Sequence, residues 1–132
     1  MINGEPTSLT DAYALIKVMA QNYGEKSFSI IANNVADELE GKRAFARLAK
    51  SVDRFLHVQL KYLGFIPRDT AAHEAIREQR ALLEVFPSSQ AGLALAGLAR
   101  RIDNEFYDYR VKGGMQFFFE QLLTMGEQHG GR

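Results

Sequence analysis

The feature that most constrains the fold of this chain is a pair of short apolar runs separated by one amphipathic helix. Residues 28–32 are too few for a helix and are rich in β-branched side chains, which indicates a strand buried on both faces. Asn33 and Asn34 end that strand. A second strand begins with alternation at Val58 and ends at Pro67, because proline cannot donate a hydrogen bond to a strand ladder. Strand, helix and strand form a βαβ unit, whose right-handed crossover makes the strands parallel.

Helical segments surround these strands. Apolar residues recur at helical spacing over residues 9–23, 41–57, 71–86 and 88–109. Ser8 and Asp11 have the spacing of a capping box at the start of the first helix, and Gly24 accepts the left-handed conformation that ends it. Pro87 separates the last two helices. After two glycines, residues 115–125 place apolar side chains on one face of a further, amphipathic helix.

The predicted fold is α/β, with a partial parallel sheet of two strands flanked by helices. Residues 1–109 form one domain, and residues 110–132 contain a glycine break and the terminal helix. Two parallel strands leave two open edges, whereas parallel sheets are usually wider and covered on both faces. The predicted sheet therefore looks like part of a larger one.

Composition excludes several classes of protein. The 132 residues suffice for one ordinary domain, and 16 basic side chains balance 16 acidic ones, so no overall field favours nucleic acid or anionic lipid. The absence of cysteine excludes disulfides, thiolate nucleophiles and sulfur-ligated zinc. No apolar run is long enough to span a bilayer, and the first residues do not form a signal peptide, so we expect a cytoplasmic protein.

Four segments carry a resemblance to a known family. They are GEPTSLTDAYALIK, IIANNVADELEG, AFARLAKSVDRFLHVQLKYLGFIPRD and HEAIREQRALLEVFPSS, the last of which is continued by LALAGLARRID. Together they resemble MinD/ParA-type P-loop ATPases, most closely the flagellar-number regulator branch (FlhG or FleN), over about residues 5–103. The resemblance implies a fragment of a P-loop NTPase fold. No Gly-x-x-x-x-Gly-Lys-Ser/Thr string occurs, and residues 1–4 do not resemble the strand that precedes these segments in the family, so the chain looks like the C-terminal half.

The resemblance implies a nucleotide site. In the family, an asparagine ending the first of these strands and a Pro-x-Asp loop after the next line the adenine pocket, which implies roles for Asn33, Pro67, Arg68 and Asp69. Glu5 matches a glutamate that reaches the partner subunit's ribose in the ATP dimer. The implied cofactor is ATP or ADP, with magnesium in a complete family member, although no magnesium ligand is identified in this sequence.

The residues alone leave a second interpretation of this site open. Asn33 can cap the next segment, and Pro67 and Asp69 can form a turn that opens the following helix. Glu5 can be an exposed acid in a first helical turn. Spacing does not decide between the two interpretations, whereas the resemblance favours the adenine pocket.

The terminal helix resembles the membrane-targeting helix that ends this family. The side chains that would contact a membrane or a partner are Phe117, Phe118, Phe119, Leu122 and Leu123. Few basic residues accompany them, which predicts weak attraction to anionic lipid at the inner face of the cell membrane. The alternative is a helix that packs on its own domain.

We therefore predict the adenine-pocket and membrane-facing half of a FlhG-like ATPase that regulates flagellar number or placement. Without a Walker loop it is not expected to hydrolyse ATP alone, so whether it is an enzyme stays open. The expected partners are a second copy or the missing N-terminal half, flagellar assembly proteins and a membrane surface. Nucleic acid is not expected, because no basic run is interleaved with the aromatic residues.

Two alternatives to this function remain. One is a non-enzymatic interaction module that binds a protein partner through the Phe-rich terminal helix. The other is a structural fragment that folds only against its missing half, or as a dimer that completes the sheet.

Overall fold

The computed structural model describes residues 1–106 and 122–123. Contacts divide the chain into two units, Met1–Leu98 and Ala99–Arg132. The first unit contains the sheet. In the second, residues 99–106 and 122–123 are helical. None of the described helices is both long and apolar enough to cross a membrane.

The first unit contains a parallel βαβ motif, as predicted. Its elements are α1 (Pro6–Tyr23), β1 (Ser27–Val35), α2 (Glu38–Phe55), β2 (Gln59–Pro67), α3 (Thr70–Arg77) and α4 (Leu82–Val85). A further helix, α5, contains residues 90–106 and begins in this unit. β1 pairs in parallel with β2, and α2 is the crossover between them. The predicted α/β class with flanking helices is confirmed.

Ile2 adds a third parallel segment beside β1. Its N–H donates to the carbonyl of Ile31 at 2.9 Å, and its carbonyl accepts from the N–H of Asn33 at 2.7 Å. The side chain of Ile2 is only 2% exposed. Residues 1–4 do not resemble a strand in the sequence, and the structure has only this isolated bridge there, because one bridging residue is too short to produce an alternating pattern. β1 therefore lies between Ile2 and β2.

The first helix begins earlier than predicted and without a capping box. Pro6 occupies its first turn, where a missing N–H costs nothing and a fixed φ is favourable, and Glu5 precedes it as an N-cap whose side chain makes no capping bond. Ser8 instead accepts a hydrogen bond from the N–H of Asn3 at 3.0 Å. The predicted end is confirmed: Gly24 is left-handed, with φ of 69°, and donates to Met19.

The second helix begins at Glu38 rather than at residue 41. The Asp37 side chain accepts from the N–H of Glu40 at 2.9 Å, and the Glu40 carboxylate accepts from the N–H of Ala36. Two backbone donors at the helix start are satisfied in this way. The Asp-x-x-Glu spacing was present in the sequence and would have located this helix start.

Residues 71–86 form two helices instead of the single one predicted. α3 ends at Arg77, and Gln79 takes a left-handed conformation with φ of 56°. The N–H of Arg80 then donates back to Ala75 at 3.0 Å, which closes the helix end. Glycine is the usual residue at such a position, so a glutamine gave no signal of the break.

Both strands contain one irregularity in their pairing. Asn34 has φ of 56° and lies where the register shifts between Asn33 and Val35. β1 therefore passes through the Asn33–Asn34 pair and continues to Val35, beyond its predicted end. β2 has its extra residue at Leu63, between the partners of Ile30 and Ile31. A bulge of this kind shifts the following side chains to the opposite face of the strand.

The sheet carries apolar packing on both faces, but the prediction that β1 is buried on both is wrong: Ser29 and Asn33 are exposed, and, among the described residues of β1, only Ile31 packs on the second face. On one face, α1 and α2 cover the first cluster, whose buried members are Ile2, Ile16, Ile30, Ala32, Val35, Ala44, Leu48, Val52 and Leu56. On the other face, the second cluster has Leu63, Ile66, Ala91 and Leu98 as its buried members, with Ile31 packed against them.

Candidate functional site

Three loops leave the sheet at one edge. Ile2, β1 and β2 are parallel, so the residues that follow them emerge on the same side. Glu5, Arg68 and Asp69 lie in these loops, and Asn33 and Pro67 lie in the last residues of β1 and β2. These are the positions that the family resemblance implies. In open parallel sheets, ligands bind outside the carboxyl ends of the strands. The fold therefore brings all the predicted nucleotide-contacting residues to the edge where such sites occur.

Asn33 and the Pro67 loop are neighbours. Asn33 pairs in register with Ile66, and Val35 pairs with Pro67. The N–H of Arg68 donates to the carbonyl of Val35 at 2.7 Å, which fixes the loop against the end of β1. The side chains of Asn33 and Arg68 are exposed. An amide and a guanidinium are thus presented to solvent at one corner of the sheet.

A cavity of about 240 Å³ lies beside Asn33. Its walls are mostly apolar and include Ile66, Ala75 and Leu95, while Asn33 and Arg80 supply polar groups. Apolar walls with a few polar groups are typical of small-molecule sites, and an amide can both donate to and accept from a purine edge. Pro67, Arg68, Asp69 and Glu5 are not among the residues that line it.

Sequence reasoning missed the contribution of Arg80 to this cavity. Arg80 follows the break after α3, and its guanidinium also forms an exposed ion pair with Glu84 at 2.6 Å. A continuous helix over residues 71–86 would have directed this side chain differently. The only sequence signal was a cluster of arginines that solvated helix faces also produce.

Asp69 joins the beginnings of two helices. Its Oδ1 accepts from the N–H of Ala71 at 3.0 Å, and its Oδ2 accepts from the N–H of Ala91, also at 3.0 Å. The backbone N–H groups of Ala91, Ala71 and Gln90 lower the pKa of Asp69 below its usual value. The interpretation that Asp69 opens the following helix is confirmed, and the second bond, to α5, was not foreseen.

The loop that holds Glu5 is ordered by local hydrogen bonds. The N–H of Glu5 donates to Oδ1 of Asn3 at 2.9 Å. Gly4 lies close to Glu40, since a Cβ added at Gly4 would be 3.3 Å from its Oε1 atom. The first loop therefore approaches the turn that starts α2. The exposed carboxylate of Glu5 makes no capping bond to α1.

The predicted membrane-contacting residues are only partly covered by the structure. Phe117, Phe118 and Phe119 lie outside the described residues. Leu122 and Leu123 are helical, with 48% and 69% of their surfaces exposed. Within residues 1–106 and 122–123, no group of three or more histidine or carboxylate side chains is arranged to hold a metal ion.

Comparison with known proteins identifies the class to which this sheet and its loops correspond. No family model matches the chain. Over 119 residues it is 43% identical to the antiactivator FleN of Pseudomonas aeruginosa, which covers 90% of this chain and 42% of FleN. It is 32% identical over 124 residues to the flagellum site-determining protein YlxH of Helicobacter pylori, covering 90% of this chain and 41% of YlxH.

The chain is therefore homologous to flagellar regulators of the MinD type. It spans about two fifths of the length of both relatives. Its two parallel strands and crossover helix are consistent with a part of the P-loop ATPase fold. The resemblance drawn from the four sequence segments is confirmed.

Proposed function

We propose that this chain supplies the adenine-contacting edge of the nucleotide site in an ATPase that controls flagellar number or placement. The observation that carries the proposal is the position of Asn33, which lines a cavity and lies beside the Pro67 loop at the carboxyl ends of the strands. Homology to an antiactivator and to a flagellum site-determining protein supports the process. The cofactor is ATP or ADP.

Each residue has a separate role in this proposal. The Asn33 amide contacts the polar edge of the base, and the planar guanidinium of Arg68 stacks near it. Pro67 shapes the loop, and Asp69 holds it in place through backbone N–H groups on α3 and α5. Glu5 faces the ribose bound by a second subunit, so the complete site is formed by a dimer.

The 132 residues do not hydrolyse ATP on their own in this proposal. Phosphoryl transfer needs backbone amides and a lysine around the phosphates and carboxylates that hold magnesium. The sequence contains no Walker motif to supply the first of these. Phosphate release by the purified chain should equal the blank, and release well above it would contradict this part of the proposal.

Nucleotide binding tests the assigned residues directly. A fluorescent ADP analogue is titrated with the wild-type chain, with Asn33→Ala and with Asn22→Ala, which removes the same side chain from an exposed position at the end of α1. Loss of one hydrogen-bonding group should weaken binding about tenfold for Asn33→Ala, while Asn22→Ala binds as wild type. Equal affinities for the two variants, or no binding by the wild type, would refute the adenine site.

The flagellar role requires a test in cells. The homologous segment of FleN is replaced by this chain, and the chimera is expressed in Pseudomonas aeruginosa lacking its own FleN. Restored flagellar number is the expected result, and a chimera with Asn33→Ala should restore it less. A stable chimera without any effect would contradict the assignment to this process.

We further propose that the terminal segment meets a membrane surface through Phe118 and its apolar neighbours. The exposure of Leu122 and Leu123 supports an apolar face without cover from described residues. Cosedimentation with phosphatidylglycerol vesicles should fall for Phe118→Asp and persist for Phe106→Asp, which changes a phenylalanine that is 61% exposed on α5. Equal loss in both variants would argue against a specific membrane helix.

A further inference from the structure

An apolar groove runs between α1 and α2, on the outer side of the first cluster. The α1 wall is formed by Leu9, Thr10 and Tyr13, and the α2 wall by Leu48, Ser51 and Phe55. Its volume is about 470 Å³, within the range of roughly 300–1,000 Å³ that ligand pockets have. Phe55 remains 65% exposed, although its ring packs edge-on against the Tyr13 ring with 6.4 Å between the ring centres.

Two hydroxyl groups that line this groove are already hydrogen-bonded. The hydroxyl of Thr10 donates to the carbonyl of Pro6 at 2.9 Å, and that of Ser51 donates to the carbonyl of Arg47 at 3.4 Å. Hydroxyls bonded to their own helix in this way leave mainly carbon surface facing outward. The groove therefore suits an apolar side chain better than a polar ligand.

A line of positive charge follows the groove. Arg43, Arg47, Lys50 and Arg54 are exposed and lie at spacings of four, three and four residues, so they share one face of α2. We call these four residues the basic stripe. At about 1.5 Å per residue it extends over roughly 16 Å. None of its members forms an ion pair with a described residue, although Arg54 lies 5.2 Å from the centre of the Phe55 ring.

Among the described residues, the groove has no compensating negative charge. Arg47 is one of its lining residues, and no carboxylate belonging to the described part of the chain lines it. The chain as a whole carries no net charge, so the basic stripe is a local separation of charge. Such a surface attracts an acidic partner and directs its approach.

We propose that the groove and the basic stripe bind an amphipathic helix of a partner protein, with apolar side chains in the groove and acidic side chains against the stripe. A concave apolar floor beside charge is the geometry by which a helix binds in a groove. A flat lipid surface fits less well, because it cannot follow the space between the α1 and α2 walls as inserted side chains can.

A designed probe tests this surface in the full chain. The probe is a dye-labelled peptide with leucine at positions i, i+3, i+4 and i+7 and with glutamate and alanine elsewhere. We expect saturable binding by fluorescence anisotropy that weakens as salt is added. A scrambled peptide of equal composition, and a version with lysine in place of glutamate, should bind at least about tenfold more weakly.

Variants of the chain distinguish the contribution of the basic stripe to binding from that of the apolar groove. Arg47→Glu should weaken binding about tenfold, whereas Arg77→Glu, the same reversal on exposed α3, should have little effect. Ser51→Phe fills the groove and should remove binding while the basic stripe is intact. Thr10→Phe fills it from the opposite wall and replaces Ser51→Phe if thermal melting shows that variant to be unfolded.

Several results would overturn the proposal. They are no binding of the probe, equal binding of the scrambled peptide, equal losses for Arg47→Glu and Arg77→Glu, and full binding by a folded groove-filling variant. Binding of phosphatidylglycerol vesicles that Arg47→Glu abolishes, with no binding of the probe, would assign the surface to a membrane instead. None of these measurements depends on nucleotide.

Discussion

The two faces of the sheet are covered in different ways. On the first face, α1 and α2 bury a large apolar cluster in which Leu48 and Val52 have 1% or less of their surfaces exposed. On the second, fewer buried side chains are found among the described residues, and the Asp69 carboxylate ties α3 to α5. Apolar packing is thus more extensive on the first face, and on the second a smaller apolar cluster is accompanied by a carboxylate that joins two helix starts.

The largest expected effect is on the first face. Leu48→Ala should lower the free energy of unfolding by about 2–5 kcal/mol, because it removes buried methyl groups and leaves a cavity. Urea unfolding measures this change. Leu39→Ala is the control on the same helix, since Leu39 is 55% exposed and its loss should be within about 0.5 kcal/mol. Similar changes in the free energy of unfolding for both variants would mean that the first cluster does not stabilise this face.

Leu63→Ala is the equivalent truncation of a buried leucine on the second face. Leu63 is 4% exposed but belongs to the smaller cluster, whose neighbours can close more easily around a lost side chain. We expect a loss near the lower end of the range, about 2 kcal/mol, by the same urea measurement. A loss as large as that of Leu48→Ala would remove the contrast between the faces.

Gly41 tests how closely α2 packs on the first face. An added Cβ would lie 2.6 Å from the Tyr62 hydroxyl and 3.2 Å from Cβ of Ala32. Gly41→Ala should therefore destabilise by about 1 kcal/mol net, because overpacking of about 1–3 kcal/mol exceeds the helix propensity gained. Gly97→Ala, whose added Cβ would have no neighbour within 4 Å among the described residues, should instead stabilise by up to about 1 kcal/mol.

Tyr62→Phe sharpens the same test. The Tyr62 hydroxyl is buried without a hydrogen-bond partner among the described residues, and burial, then the charge of Glu38, raises its pKa. Its removal should cost little alone and should restore part of the stability lost in Gly41→Ala, as measured by a double-mutant cycle. Strict additivity would show that the hydroxyl is not the obstacle.

The smallest effect is a pH dependence on the second face. Since folding lowers the pKa of Asp69, its ionised form stabilises the fold above the usual value of 3.8, and that stability is lost as pH falls through the lower folded value. Asp69→Asn should be less stable than wild type at neutral pH, with the gap closing in acid. Urea midpoints across pH measure it, with Asp11→Asn, at an exposed position on α1, as the control.

Local rules predicted the βαβ order and several element ends. Gly24 could be placed because a left-handed helix end favours glycine, and Asn33 could be placed beside Pro67 because parallel strands end at one edge. Asp37 and Glu40 carried a readable capping signal that was overlooked. These features depend on residues close in sequence or on one simple rule of topology.

The remaining features depend on contacts between distant residues. The bond from Asp69 to Ala91 joins positions 22 apart, and Ile2 is recognisable as part of the sheet only from its pairing with β1. Arg80 reaches the cavity because Gln79 adopts a conformation that its residue type does not favour. No periodicity in the sequence encodes these arrangements.

The extra residues in β1 and β2, Asn34 and Leu63, determine how a deletion in these strands would act. In β1, Ile30 and Ala32 are two residues apart and both face the first cluster, but the next residue to face it, Val35, is three residues further on. In β2, Tyr62 and Phe65 pack against the same cluster and are also three residues apart. The alternation of side chains between the two faces of the sheet is thus interrupted once in each strand. Deleting Asn34 would remove the extra residue and leave Ile30, Ala32 and Val35 in one regular alternation facing the first cluster. Substituting Asn34 would instead keep the irregularity and require another residue to adopt its left-handed conformation.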